Sequence, residues 1–301
     1  MRSQSKPLVT CITPTLNSEE FLETFLRELS SQTIFPNFEV ILNLSAPSER
    51  ELSIAKKYKE KYGELLVIVS HEEIIPLGVA WNECISMAKA DFIAIWNVDD
   101  LRSPGSLEAQ ISSFESSGAV VSYGPYLVVN EFESRSGREI LEQNLSQFHF
   151  LRGMHFGPFM AFRKSTLQHS GLFDEQLYSG GDFDLAIRLS LQGEAVRTDS
   201  FLGYYLDAGR GASTSPTSKQ VVERTVIELR YGIYDKVDFS YINRALDYDV
   251  KNLIFGGQKI PVQSIPGVSQ IFANYANVSV KRKYNLAHLL KFLKEIFRKI
   301  T

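Results

Sequence analysis

The stretch DFIAIWNVDD, residues 91–100, decides the fold. Phe92 to Trp96 are consecutive and mostly apolar, and the chain then turns polar at Asn97, Asp99 and Asp100. A short apolar run of this kind reads as a central strand of a parallel sheet, buried by helices on both faces. In open α/β sheets, ligands bind in the crevice beyond the carboxyl ends of such strands. Asn97 and Asp99, one residue apart, deliver oxygen donors there, which suits a hard divalent cation that also takes substrate phosphates. Asn and Asp are also turn formers, and Ser103-Pro104-Gly105 follows directly, so a plain turn is the competing reading.

The flanking sequence favours the first reading. Leu8 to Thr13 is a short apolar strand ending at Pro14. Phe21, Leu22, Phe25, Leu26 and Leu29 then recur at helical spacing within residues 18–32, with Ser18 as the expected N-cap. Strands are predicted over 38–44 and 65–69, and helices over 48–62, 78–89 and 104–116. Strand and helix in alternation imply right-handed crossovers and a parallel sheet. Neither GxGxxG nor GxxxxGK[ST] occurs, so a bound nucleotide would need another device for its phosphates. A metal on Asp99 would serve.

Bulk properties set wide limits. A chain of 301 residues has room for one large α/β domain and an appendage. A net charge of −3 carries no global nucleic-acid signature, and no nucleic-acid partner is expected. Cys11 and Cys84 belong to no metal pair or disulfide framework, which fits a reducing compartment. MRSQSKPLVT lacks the apolar core of a signal peptide, and no run approaches the ~18 apolar residues of a membrane span. The expected location is the cytoplasm, either free or peripheral on the inner face of the membrane.

Four segments together carry a family resemblance. VTCITPTLN (9–17), SQTIFPNFEVIL (31–42), LGVAWNECISMAKADFIAIWNVDD (77–100) and GGDFDLAIRL (180–189) occur in the order found in family 2 glycosyltransferases. The chain resembles these inverting enzymes of GT-A fold over residues 7–215. The resemblance implies a Rossmann-like, mostly parallel α/β sheet flanked by helices. It divides residues 1–215 into a nucleotide-sugar half (7–115) and an acceptor half (116–215), followed by a helical extension over 216–301. It also implies a nucleotide-diphosphate sugar donor, a glycan or lipid-linked acceptor, and Mn²⁺ or Mg²⁺ as cofactor.

Carried across by position, Pro14, Thr15 and Asn17 match the loop that lines the nucleoside pocket, and Asn82 matches a polar residue on the preceding helix. Asn97-Val98-Asp99 stands where the family has Asp-x-Asp, with Asp99 as metal ligand. Asp182 matches the catalytic base, although an aspartate there also suits a helix N-cap. Asp184 is expected to pair with Arg188 at i+4. Asp207 falls where a further metal contact is found, and Arg210, in the small-residue segment 209–215, is the cation available to a diphosphate.

There are departures. The aspartates usual after the second strand are absent, and Asn43-Leu44-Ser45 stands there instead, so base recognition shifts to Asn43 or Ser45. Asn97 replaces an acid, and Trp81 stands where a basic residue is common. These changes keep a non-catalytic sugar-nucleotide or glycan-binding relative as the alternative function. A nucleotidyltransferase is disfavoured because no glycine- and arginine-rich loop follows the first strand.

The connecting residues 120–165 read as strands bent at Gly124-Pro125, an exposed excursion over 131–147, and a strand over 155–163. His155, Phe156 and Phe159 are read as structural. Residues 219–233 and 239–255 read as helices. Lys281 to Thr301 forms a basic amphipathic pattern, with Leu286, Leu289, Leu290, Leu293, Ile296, Phe297 and Ile300 on one face. Such a helix suits an anionic membrane surface, or packing on the domain or on a second subunit.

Overall fold

The computed structural model of the chain describes residues 6–141, 153–207, 209, 219–233 and 236–271. Arg210, most of the segment 209–215, the end of the excursion at 142–147 and the amphipathic segment 281–301 lie outside the described residues.

The first half alternates as the sequence suggests: β1 (Thr10–Thr15), α1 (Leu22–Glu28), β2 (Glu39–Ser45), α2 (Glu49–Tyr62), β3 (Leu66–His71), α3 (Leu77–Met87), β4 (Phe92–Ile95), β5 (Leu101–Arg102) and α4 (Ser106–Ser117). Then come β6 (Val121–Tyr123), β7 (Tyr126–Val129), β8 (Arg138–Ile140), β9 (Ala161–Arg163), α5 (Leu167–Ser170), α6 (Gly181–Ser190), β10 (Ala195–Arg197) and β11 (Gly203–Leu206). The described chain closes with α7 (Gln220–Arg230), α8 (Ile242–Ala245), β12 (Asn252–Phe255) and β13 (Gln258–Pro261).

The main sheet has seven strands in the order β10-β6-β9-β4-β1-β2-β3. β4, β1, β2 and β3 run parallel, and β9 enters antiparallel between β4 and β6. Strand alternation sorts the core into two layers. Val40, Leu42 and Leu44 join Phe25, Leu26, Ile54 and Phe114 of α1, α2 and α4 on one face. Ile12, Ile41 and Ile95 join Trp81, Ile85, Leu185 and Leu189 of α3 and α6 on the other. Each fully buried aliphatic side chain contributes about 1.5–3 kcal/mol. The long apolar runs of the sequence are therefore strands covered on both faces, as expected for a parallel sheet.

Several local expectations change. Ser18 does not cap α1, which starts at Leu22 without a side-chain cap. Its amide and hydroxyl both donate to Glu51 Oε1 at 2.6 Å, while Glu51 and Ser48 close a capping box on α2. The strand expected over 155–163 is confined to β9. The chain bends at Gly124-Pro125 because β6 belongs to the main sheet and β7 to a second, four-stranded sheet ordered β5-β11-β7-β8. Gly124 is needed there, since a Cβ would stand 2.8 Å from Thr198 Cγ2 and 2.9 Å from its carbonyl oxygen. The helix expected over 239–255 is wrong over most of its length. Only Ile242–Ala245 is α-helical, and Asn252–Phe255 pairs with β13 across Gly256-Gly257. Both glycines have positive φ, +56° and +71°, which a two-residue hairpin turn of this hand requires.

Packing runs across residue 215. Leu177, Phe183 and Ile187 share one apolar cluster with Val222, Val226, Ile227 and Tyr231 of the α7 segment. No helix among the described residues is long and apolar enough to cross a membrane.

Candidate active site

The carboxyl end of β4 presents the polar cluster with a regular inside–outside pattern. Val98 and Asp100 are buried, whereas Asn97 and Asp99 are part-exposed. The loop is fixed from several sides. Trp96 Nε1 donates to the Asp100 carbonyl at 3.0 Å, and buried Arg102 donates to the Ile95 carbonyl at 2.8 Å. Asp100 accepts from Asn97 Nδ2 and from the Leu206 amide, each at 3.1 Å. Asp100 is thus a strut between β4 and β11, and it brings Asp207, the residue after Leu206, beside the loop.

Burial pushes the Asp99 carboxyl above its usual range, and burial followed by the neighbouring Asp99 charge pushes Asp100 well above it. Among the described residues, the Asp99 carboxylate has no partner beyond its own backbone amide. A desolvated, unpaired carboxylate is costly, and a cation would relieve it. The donors at hand are the Asp99 and Asp207 carboxylates and the Asn97 amide oxygen, all hard oxygens that fit Mn²⁺ or Mg²⁺. No group of three His, Cys, Asp or Glu converges among the described residues. The set therefore fits a metal held by one or two carboxylates and completed by phosphates and water.

The neighbouring strand ends carry the other expected residues. Pro14 and Thr15 end β1, and Thr15 Oγ1 donates to the Asn43 carbonyl at 3.3 Å. Asn17, exposed beyond them, has φ +53°, a left-handed conformation that asparagine tolerates. Ser45 accepts from the Ile75 amide at 2.9 Å. Asn43 is fully buried; its Nδ2 donates to Glu83 Oε2 at 2.6 Å and its Oδ1 has no hydrogen-bond partner. His71 Nε2 lies 2.7 Å from the same Glu83 oxygen. Glu83, on α3, therefore supplies a carboxylate at the end of β2, where the strand and the loop after it have none. No motif marked Glu83 or His71; only the packing of α3 over the sheet brings them together. Asn82 is bonded throughout: its Nδ2 donates to the Phe173 carbonyl and Glu175 Oε1, and its Oδ1 accepts from the Phe173 amide. It ties α3 to the segment leading to α6.

Asp182 sits in the first turn of α6, where Gly180, not Asp182, is the N-cap residue. Its Oδ1 accepts from the Phe183 amide at 2.7 Å. Some of its surface reaches solvent, yet enough protein surrounds the carboxyl to raise it to about 6, mainly by burial and in part through the charge of Glu223. The Phe183 amide opposes this shift. A carboxyl in that range can take and give a proton near neutral pH.

Asp184 points elsewhere. It accepts from Arg188 Nε and Nη2 at 2.9 and 2.7 Å, as the i+4 spacing implied, and also from Arg230 Nη1 at 2.7 Å and Tyr231 hydroxyl at 2.9 Å. Arg230 also binds Asp174 at 2.7 Å. Against the cost of burial, the two guanidiniums hold Asp184 below the usual carboxylate range. Asp174, which shares only Arg230, is instead raised by burial. Asp184 has two cations against it, whereas Asp174 has one cation and the Asp184 charge, which adds to the rise. Cys11 and Cys84 are free and buried, and burial pushes both thiols up to about 12, so neither is a nucleophile.

The sequence profile described as glycosyl transferase family 2 matches residues 10–173. The putative glycosyltransferase EpsE of Bacillus subtilis is 33% identical over 136 residues, 44% of this chain and 48% of that protein. The amylovoran biosynthesis glycosyltransferase AmsE of Erwinia amylovora is 29% identical over 185 residues, 59% of this chain and 66% of its own. These matched segments thus span about half to two thirds of the relatives. Among solved structures, S. aureus TarS 1-349 in complex with UDP-GlcNAc superposes with a TM-score of 0.60 at 17% identity, covering 80% of this chain and 73% of that one. The mannosyltransferase PcManGT from Pyrobaculum calidifontis, in complex with GDP-Man and Mn²⁺, gives 0.56 at 16% identity, covering 97% and 81%. At these identities the structural likeness speaks for the fold, which is the GT-A type.

Proposed function

Because the chain belongs to glycosyl transferase family 2, we propose that it transfers a sugar from a nucleotide-diphosphate donor to a hydroxyl of a glycan or lipid-linked acceptor, with inversion. The observation that carries this reading is Asp182. Its neighbours Glu223, Asp184 and Asp174 are all bonded by several donors from other residues, whereas Asp182 has one amide and a proton affinity near neutrality. As the acceptor oxygen bonds to the anomeric carbon, Asp182 takes the hydroxyl proton, and the nucleoside diphosphate leaves with the electron pair of the broken C–O bond. A single displacement of this kind inverts the anomeric centre.

Asp99, with Asn97 and Asp207, would hold the divalent metal, which when bound neutralises charge on the leaving diphosphate. Pro14, Thr15 and Asn17 would line the nucleoside. The unpaired Oδ1 of Asn43 and the carboxylate of Glu83 are suited to accept N–H groups of the base, in place of the missing aspartates. Presence of both Asp99 and Asp182 favours a catalyst over a binding-only relative. The acceptor, and a membrane surface bound through 281–301, belong to the same proposal.

UDP and GDP, each tested by thermal shift with and without Mn²⁺, are the direct probe. Stabilisation is expected only with metal, and Asp99→Ala should abolish it; an unchanged shift removes Asp99 from the site. Asp182→Asn should keep nucleotide binding and lower turnover of an active nucleotide sugar by about 10²-fold or more. Full activity in that variant would hand the base role elsewhere.

A further inference from the structure

Glu223 lies on α7, well beyond the residues matched by the family profile. It is fully buried, and no cation pairs with it among the described residues. Among the described residues, every hydrogen bond on its carboxylate comes from a donor of another segment, as a carboxylate requires. The amides of Tyr178, Ser179 and Gly180 donate at 2.8, 2.7 and 2.8 Å. The hydroxyls of Ser179 and Tyr248 add bonds of 3.2 and 3.3 Å. Three consecutive backbone amides converging on one carboxylate fix the turn that opens α6, two residues before Asp182. Close approach depends on Gly180, whose Cβ would stand 3.1 Å from Ile227 Cδ1 and 3.3 Å from Glu223 Cβ.

We propose that Glu223 is a positioning residue for the transfer: from α7 it clamps the turn Tyr178–Gly180, so setting where Asp182 stands, and it keeps a second negative charge behind that carboxyl. The inference rests on the reading of Asp182 as the base. Among the described residues, the other groups around the start of α6 do not supply an opposing charge to Asp182. From α3 the neighbour of the Gly181 turn is Trp81, and from the preceding segment it is Phe173. Asp184, on the same helix, faces Arg188, Arg230 and Tyr231. Lys219 sits over the Tyr178 ring, 5.8 Å from its centroid. Among the described residues, Glu223 is the charged side chain that acts on Asp182, and it adds to the rise that burial causes in its affinity for a proton. A neutral capping residue could close the same turn; a carboxylate does so while making the base stronger.

The test is a ¹³C-carboxyl NMR titration of the full chain, with the Asp182 signal identified by its loss in Asp182→Asn. In Glu223→Gln the midpoint of Asp182 should fall by on the order of half a pH unit or more. Glu223→Asp keeps the charge but shortens the reach, so the midpoint should stay near the native one. With UDP-GlcNAc or GDP-mannose and Mn²⁺, whichever releases nucleoside diphosphate, kcat of Glu223→Asp should drop on the order of tenfold at unchanged KM. The acid limb of kcat in Glu223→Gln should move to lower pH with the NMR midpoint. An unmoved midpoint in Glu223→Gln overturns the proposal whatever happens to kcat. If the midpoint moves but Asp182→Asn retains full turnover, the base reading has failed while the link between Glu223 and Asp182 stands.

Discussion

The first half of the chain and the region around α6 and α7 are held together by different means. In the first, β1, β2 and β4 are covered on both faces by aliphatic and aromatic side chains, and the buried ionisable groups there, Glu39, Glu51, Asp100 and Arg102, bond to hydroxyls, amides and carbonyls and not to one another. In the second, Asp174, Asp184, Arg188, Glu223 and Arg230 are all essentially buried and bonded to one another or to backbone. Apolar layers tolerate small shifts, because their attraction is non-directional. A buried charge network has one arrangement that satisfies its members, and any other leaves a charge unpaired. The contrast suits the proposed tasks. The first region presents strand ends, whereas the second would fix a single carboxyl.

Mutation can break this comparison. Asp184→Ala strands Arg188 and Arg230 in the interior and should cost about 3–5 kcal/mol in urea unfolding at neutral pH. The group's folded pKa is depressed, so its stabilisation is present above the ordinary carboxylate range and lost as pH falls through the depressed value. The cost of the variant should therefore shrink below about pH 4. Leu42→Ala, in the apolar layer, should cost about 2–5 kcal/mol with little dependence on pH. Equal pH profiles for the two variants would erase the distinction.

Asp182 sharpens the comparison from the other side. Its folded pKa is raised to about 6, so its charged form works against folding. That penalty is absent below the unfolded value and complete once pH rises past the folded one. Asp182→Asn should thus stabilise the protein at pH 8, on the order of 1 kcal/mol after allowing for partial exposure, and hardly at all at pH 4. A loss of stability at pH 8 would mean that the carboxylate is structural. The smallest effect belongs to the surface. Glu23 and Lys57 pair at 2.7 Å with both side chains largely exposed, and Glu23→Gln should leave the melting temperature unchanged within error.

Legibility in the sequence followed the same division. The β4 run, the polar residues after it and the i+4 pair of Asp184 with Arg188 were readable, because periodicity records burial directly. β12 reads as the end of a helix over 239–255, although Gly256-Gly257 directly after it carries the turn signal of its hairpin with β13. Glu83 beside His71, and Glu223 beneath the turn of Gly180, had no local signature, being far from their partners in the chain.

The sequence by itself determined the parallel α/β layering, the family, and the presence of acidic residues at the end of β4 and the start of α6. Only the tertiary structure decided which carboxylates are paired and which stand alone. Asp99 and Asp100, adjacent in the chain, differ because the Leu206 amide reaches one and not the other. Asp182 and Asp184 differ because Arg188 and Arg230 converge on the second. A carboxyl's proton affinity is set by desolvation and by charges and donors within a few ångströms. Those neighbours come from segments that meet only when the chain is folded.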